Sequence, residues 1–528
     1  MKFFSAIYAP LRQYEQEFAN CALPEPNPQS ANDGDHHHEG GGDDDSVRTI
    51  QAINEKDQRF VVSFDNTPQA NPRKWSKWKK SKMVLDIVML AFQLTFASAI
   101  SSTAVEGQMK SLNIDLEVSQ ISTAIFLLGF GVGGIPFGPL SEALGRQSLY
   151  TSTLFASTCF EIGAATSANI WTLIICRFFA GFFGATPLSS VGGSLMDIYN
   201  PIDRASVFPV FAGAAFLGPA GAPVIGGYLA MNYHITYISG FALTLYVFLT
   251  TPETLGNEIL RQKARIFRRR TGDERWRAPQ ESVPLKQIYT ASMTKVFKLL
   301  CTEPLVMFST AYLSIVYTVL FGFLEAYPVI FSAGNGYNHL NLGETGLAFI
   351  PINIGILCAI VAMIPFGHRY KRKAIARGMD SAPPEEHYLP MMVGGVVLPV
   401  SVFWIGWTSF KSISVWAPMM AGVPFGFSVL LIFIATYQNI IESYGPNASS
   451  ALGALVLVRY SFAAGAVMFV HYTSVYKVAA LDQPYAKEVH MPSKIKCYDC
   501  SARHLSNVLS FSMENLSRDR ALAAEIPL

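Results

Sequence analysis

Glu161, Arg177 and Glu325 stand inside long apolar runs of the chain. A charge at the centre of a bilayer costs at least about 2.5–3.5 kcal/mol on insertion scales, so such a group faces a bundle interior or water and finds a partner. A carboxyl in a low-dielectric site takes up a proton more readily than in water. It can load a proton on one side of a membrane and release it on the other, or attract a cation. Arg177 falls about two turns into its run, where it suits the tuning of a neighbouring carboxylate. The plainer readings are a structurally paired or snorkelling arginine and a hydrogen-bonded structural carboxyl. For Glu161 the structural reading is preferred; Glu325, in a Phe-x-Glu-Ala-x-Pro context, is the stronger chemical candidate.

Those residues need elements that cross a membrane. Half the chain is hydrophobic and only 15% is charged, against about 25% charged in ordinary soluble domains. A spanning helix takes about 20 mostly apolar residues. Candidates lie near 83–103, 119–140, 148–169, 171–195, 206–229, 237–252, 304–331, 345–366, 388–408, 413–436 and 449–476. The net charge of +2 says little about partners, but the positions of the charges say more. Basic residues cluster at 73–82, at Arg146 and Arg204, through 261–298 and at 368–377, whereas 332–343 carries almost none. All clusters share one side if the amino terminus is cytosolic. The spans then divide into six, a basic linker and a second group.

The boundaries expected are a disordered cytosolic tail over 1–80, a helical bundle over 81–252, a cytosolic linker over 253–302, a second bundle over 303–476 and a polar tail over 477–528. No amino-terminal signal peptide is expected, because the first apolar run starts only after Lys82. His36-His37-His38 sits in a solvated low-complexity stretch. Cys497-x-x-Cys500 lacks the second pair a zinc site would want. No phosphate-binding Gly-x-x-x-x-Gly-Lys-Ser/Thr loop occurs, so ATP hydrolysis is not expected to drive the protein. Asn447-Ala-Ser449 matches a glycosylation sequon on the side where it would not be used.

The short turn Gly138-Pro-Leu-Ser-Glu-Ala-Leu-Gly-Arg146 joins two apolar runs and must lie at a membrane face. Its Gly138, Leu140, Glu142, Gly145 and Arg146 resemble the signature loop between helices two and three of the major facilitator superfamily. Further matches follow in order. Asn71-Pro-Arg-Lys-Trp75-Ser resembles the start of the first helix in fungal drug:proton antiporters, and Arg177-x-x-x-Gly181-x-x-Gly184 the motif of proton-coupled facilitators. Asp197 and Arg204 bracket the next loop as in that group. Gly218-Pro219, with Gly226 and Gly227, resembles the antiporter motif of helix five. Pro252-Glu253-Thr254 resembles the end of helix six, Tyr312, Tyr317 and Phe323–Pro328 helix seven, and Gly343-Glu-Thr-Gly346 the start of helix eight. Without the motif reading, Glu142 and Arg146 would be a solvated charge pair, and Gly218-Pro219 an ordinary kink.

The resemblance implies an all-α, two-bundle membrane transporter of the twelve-span fungal drug:proton antiporter group, multidrug- or polyamine-exporter-like, with no enzymatic activity. It implies that Glu142 contacts the start of helix eleven near Ser449, that Arg177 and Glu325 serve proton coupling, and that the halves rock about a central site. Tyr312, Tyr317 and Asn439 are candidates for lining that cavity. The expected partners are a small organic substrate (drug, secondary metabolite or polyamine), protons and lipid, without nucleic acid, metal or cofactor. A monomer in the plasma or vacuolar membrane is expected. Proton-coupled uptake, or an inactive or sensor-type remnant, stays open: the sixth candidate is short, and no twelfth apolar run follows 476.

Overall fold

The computed structural model describes residues 60–64, 70–103, 105–229, 252–279, 285–331, 340, 342–378, 384–409, 413–445 and 448–481, with 242, 245 and 246. Their first half consists of α1 (Lys77–Thr103), α2 (Val105–Leu112), α3 (Leu116–Leu144), α4 (Arg146–Ala165), α5 (Ile170–Gly184), α6 (Thr186–Ile198) and α7 (Pro201–Leu229). Next come α8 (Gly256–Thr271) and α9 (Leu285–Thr302). The second half holds α10 (Pro304–Phe331), α11 (Leu342–Leu347), α12 (Ile350–Ala376), α13 (Tyr388–Thr408), α14 (Trp416–Met420), α15 (Gly422–Tyr444) and α16 (Ala448–Leu481). The only strands among the described residues are β1 (Phe60–Val61) and β2 (Trp276–Arg277), paired in parallel.

Nine stretches of the described residues are long and apolar enough to cross a bilayer. The expected third span does not meet that measure: it is α4, a 20-residue helix. Its face of Thr153, Ser157, Thr158 and Glu161 is buried in the bundle, while Phe155 and Cys159 on the opposite face are exposed. The expected sixth span, 237–252, and the region after 481 fall almost wholly outside the described residues. Proline inside α3, α7, α10, α12 and α13 is tolerated because neighbouring helices re-satisfy the freed backbone.

One large core runs through both halves. It includes Phe126 and Phe130 of α3, Phe208 and Phe216 of α7, Tyr317 and Phe321 of α10, and Phe433 and Tyr437 of α15. A smaller core lies beside it. Val62 packs with Leu260, Ala264, Phe267 and Trp276, and Lys263 Nζ donates to the Ser63 carbonyl at 2.7 Å. Part of the expected tail, residues 60–64, is thus seated on α8, because its alternating apolar residues find the apolar face of that strongly amphipathic helix.

Candidate functional site

The segment expected as a turn is mostly helix: residues 138–144 end α3, and Gly145 alone, at φ 95°, joins it to α4. A side chain there would be strained, and its Cβ would lie 2.6 Å from Glu253 Oε2. The helix that follows has no side-chain cap of its own. Glu253 supplies one from far along the chain: its Oε1 accepts from the backbone N–H of Arg146 at 2.9 Å and its Oε2 from that of Gln147 at 3.3 Å. The same carboxyl accepts from Thr254 and Leu255, both at 2.9 Å. Exposed N–H groups and the dipole make a helix start a site for a carboxylate. Burial pushes the Glu253 carboxyl up to about 7, against the opposing pull of its backbone donors.

Arg146 is buried, and its Nε lies 3.2 Å from Asp197 at the end of α6. Its guanidinium also donates to the Ser141 hydroxyl. The partner of Arg146 is thus Asp197, one of the two charges bracketing the next loop. Glu142 turns to the second half and accepts from the hydroxyl of Ser449, the second residue of α16. Leu140 packs against the main core. At Gly138 a Cβ would lie 3.2 Å from the Ser449 carbonyl, so the missing side chain lets α16 approach.

A second contact between the halves forms at the same end. Arg204 Nη2 at the start of α7 lies 3.7 Å from Glu442 Oε1 near the end of α15. Glu442 also accepts from the Tyr370 hydroxyl at 2.9 Å and sits 3.0 Å from His387 Nε2. Gln438 Nε2 donates to the Ala205 carbonyl at 3.0 Å. Towards the other end, Asn353 Nδ2 of α12 donates to the Ala220 carbonyl of α7 at 3.0 Å. The halves therefore touch at both ends.

The ionisable candidates do not converge. Arg177 reaches the Ala97 carbonyl at 3.4 Å, and the carboxylate whose charge acts on it is Glu161. Glu325 is half-buried on α10 and makes no ion pair among the described residues. Gly218 lies against α1, where a Cβ would come within 2.8 Å of the Phe96 nitrogen. Pro219 lines a small apolar cavity with Phe216, Leu320, Leu324 and Ile352. Gly226 and Gly227 fall in the last turn of α7. Tyr312 sits near Gly395, and Asn439 donates to the Tyr388 hydroxyl at 3.4 Å. Tyr317 alone of the cavity candidates reaches the centre.

There it faces a residue the sequence reading passed over. Arg459 is fully buried midway along the span Ala448–Phe469. Its guanidinium carbon stands 4.6 Å from the Tyr317 ring, 5.0 Å from Tyr460, 5.1 Å from Tyr437 and 5.2 Å from Phe433. Phe216 extends this cluster to α7, 4.9 Å from Phe433, and Phe130 extends it to α3, 4.7 Å from Tyr460. A charge inside the run 449–476 was the available signal, of the same kind that singled out Arg177.

Residues 87–467 match the Major Facilitator Superfamily. An uncharacterized transporter of Schizosaccharomyces pombe is 38% identical over 77% of this chain and 76% of its own length. The MFS-type transporter kojT of Aspergillus flavus is 39% identical over 78% and 75%. The multidrug transporter mdrA of Aspergillus fumigatus is 33% identical over 79% and 70%. Among solved structures, the xylose transporter XylE of E. coli superimposes with a TM-score of 0.53 at 12% identity, covering 79% of this chain and 99% of XylE. The human organic anion transporter MFSD10 gives 0.52 at 16% identity, covering 76% and 94%. With its two helical halves and the match over residues 87–467, this chain belongs to the major facilitator superfamily and is a multi-pass membrane transporter.

Proposed function

We propose that the protein exports a small organic molecule in exchange for protons, by rocking its two halves about a site between them. The carrying observation is Glu325: a carboxyl on a membrane-spanning helix that makes no ion pair among the described residues. Such a group is costly there unless it changes its protonation with its surroundings. Arg177 and Glu161, on adjacent helices, form a second ionisable pair that tunes the first half. The Gly218-Pro219 motif packed on α1 supports antiport over uptake through its resemblance to antiporters.

In this reading the end bearing the basic clusters is cytosolic, and Glu142–Ser449 and Arg204–Glu442 are its latches. They hold that face shut and release when the central site opens inward. The plasma membrane is the proposed location. The test is proton-dependent efflux from a host lacking its own exporters, with Glu325→Gln and Arg177→Ala compared with the native chain. Efflux that follows the proton gradient and loses that dependence in Glu325→Gln is expected; unchanged dependence in both variants sinks the coupling roles.

A further inference from the structure

We propose that Arg459 and its ring of aromatic side chains form the substrate subsite, and that it takes a small organic anion with a planar, apolar body. The inference rests on the reading that substrate is held between the halves, and it narrows the substrate class. Arg459 is 0% exposed, and none of Nε, Nη1 and Nη2 makes a hydrogen bond of ordinary geometry among the described residues. No carboxylate pairs with it there. The buried Tyr437 hydroxyl interacts with the guanidinium itself, outside ordinary hydrogen-bond geometry.

Removing a guanidinium from water costs several kcal/mol even after relaxation. Each desolvated ring face returns about 2 kcal/mol or more. Four rings thus make the charge tolerable, and the Tyr437 and Tyr460 hydroxyls lie against the guanidinium, but no negative charge faces it there. A carboxylate, enolate or phenolate would supply what is missing, through short charge-assisted bonds in a forked geometry suited to arginine. Its planar body would replace ring–ring contacts with ring–substrate contacts of the same kind, between Tyr317, Phe433, Tyr437 and Tyr460.

A purely structural arginine at this depth would be expected to carry a carboxylate partner, as Arg146 and Arg204 do. The position also suits a site that must be exposed to alternate sides. Arg459 is mid-span, and its ring cluster touches Phe216 and Phe130 of the opposite half. A polycation such as a polyamine is disfavoured here: like charges a few Å apart in a low-dielectric interior repel strongly.

The test is equilibrium binding of radiolabelled 2-naphthoate to the full-length chain in nanodiscs, with 2-naphthamide and 2-naphthylmethylamine as competitors. Naphthoate is expected to bind, the amide at least tenfold more weakly and the amine not at all. Arg459→Lys should keep part of the affinity and Arg459→Gln should lose at least tenfold. Where Arg459→Gln fails to fold, Tyr437→Phe carries the test and should weaken naphthoate several-fold while leaving the amide unchanged. No naphthoate binding to folded protein, equal binding of the three probes, or an unchanged affinity in Arg459→Gln or, in its place, Tyr437→Phe overturns the proposal. Naphthoate binding without proton-driven flux would sink the coupling reading and leave this one standing. Proton-driven efflux of neutral or cationic compounds that naphthoate does not inhibit would do the reverse.

Discussion

Charges at the basic end of the bundle and the charge at its centre follow opposite rules. At the end, Arg146 meets Asp197, Arg204 and His387 meet Glu442, and Glu253 takes four backbone donors. In the middle, Arg459 has aromatic rings and tyrosine hydroxyls but no carboxylate among the described residues. Of the pairs at the end, Arg204–Glu442 has its partners on different halves, and a contact between opposite charges of that kind breaks and re-forms as a unit. It suits a gate. A desolvated cation with no opposite charge beside it has its best partner outside the protein, which suits a binding site. Burial alone does not separate the two, since both sets are buried; the presence or absence of an opposite charge does.

The comparison can be broken first at Glu442. Glu442→Gln leaves Arg204 and His387 beside a neutral group, and removing one partner of a buried pair costs about 3–5 kcal/mol. A large fall in thermal stability is expected, with increased labelling of cysteines placed in α15 from the basic side. Native-like stability would show that the contact is solvated and not a latch.

Glu253 gives the next largest effect, and it depends on pH. With its carboxyl pushed up to about 7 from an ordinary 4.5, the folded chain holds a proton that the unfolded chain has released between those values. Stability therefore falls as pH rises through that window and levels off above it, by up to about 3 kcal/mol. Glu253→Gln lacks the term, so the native protein's stability relative to the variant should decline from pH 5 to 7. A constant difference across that range contradicts a buried, proton-holding cap.

Gly145→Ala places a Cβ at φ 95° beside Glu253. A loss of about 1–3 kcal/mol is expected from the strained backbone, and it should shrink when Glu253→Gln is also present, because the crowding is shared. Strict additivity in that double-mutant cycle would separate the loop from the cap. Ser449→Ala, which removes the Glu142 bond, should have the smallest effect, about 1 kcal/mol. It should appear more in faster gate opening, read by cysteine accessibility at 138–146, than in stability; unaltered accessibility removes this contact from the gate.

Much of this was legible in the residues. The apolar runs located the helices, and the motif at 138–146 foretold the meeting of Glu142 with Ser449. The third run is a single helix as expected, but hydropathy does not say which polar face another helix covers; Ser157 and Glu161 are buried by packing. Glu253 could be placed in a motif, but not identified as the cap of a helix over a hundred positions earlier, since that bond needs the tertiary fold. Arg146 was free on paper to pair with Glu142 and pairs with Asp197 instead. Arg459 was visible as a charge in an apolar run. Its lack of an ion-pair partner was not, because that depends on which side chains of α10 and α15 face it.

The most direct measurement of the central claim is uptake of labelled 2-naphthoate into proteoliposomes under an imposed pH gradient, with the native chain, Arg459→Gln and Glu325→Gln in parallel. The native chain should accumulate naphthoate only while the gradient lasts. Arg459→Gln should accumulate little, and Glu325→Gln should equilibrate naphthoate without concentrating it. Gradient-driven accumulation at the native level in both variants would contradict a proton-coupled transporter built around an anion-binding centre.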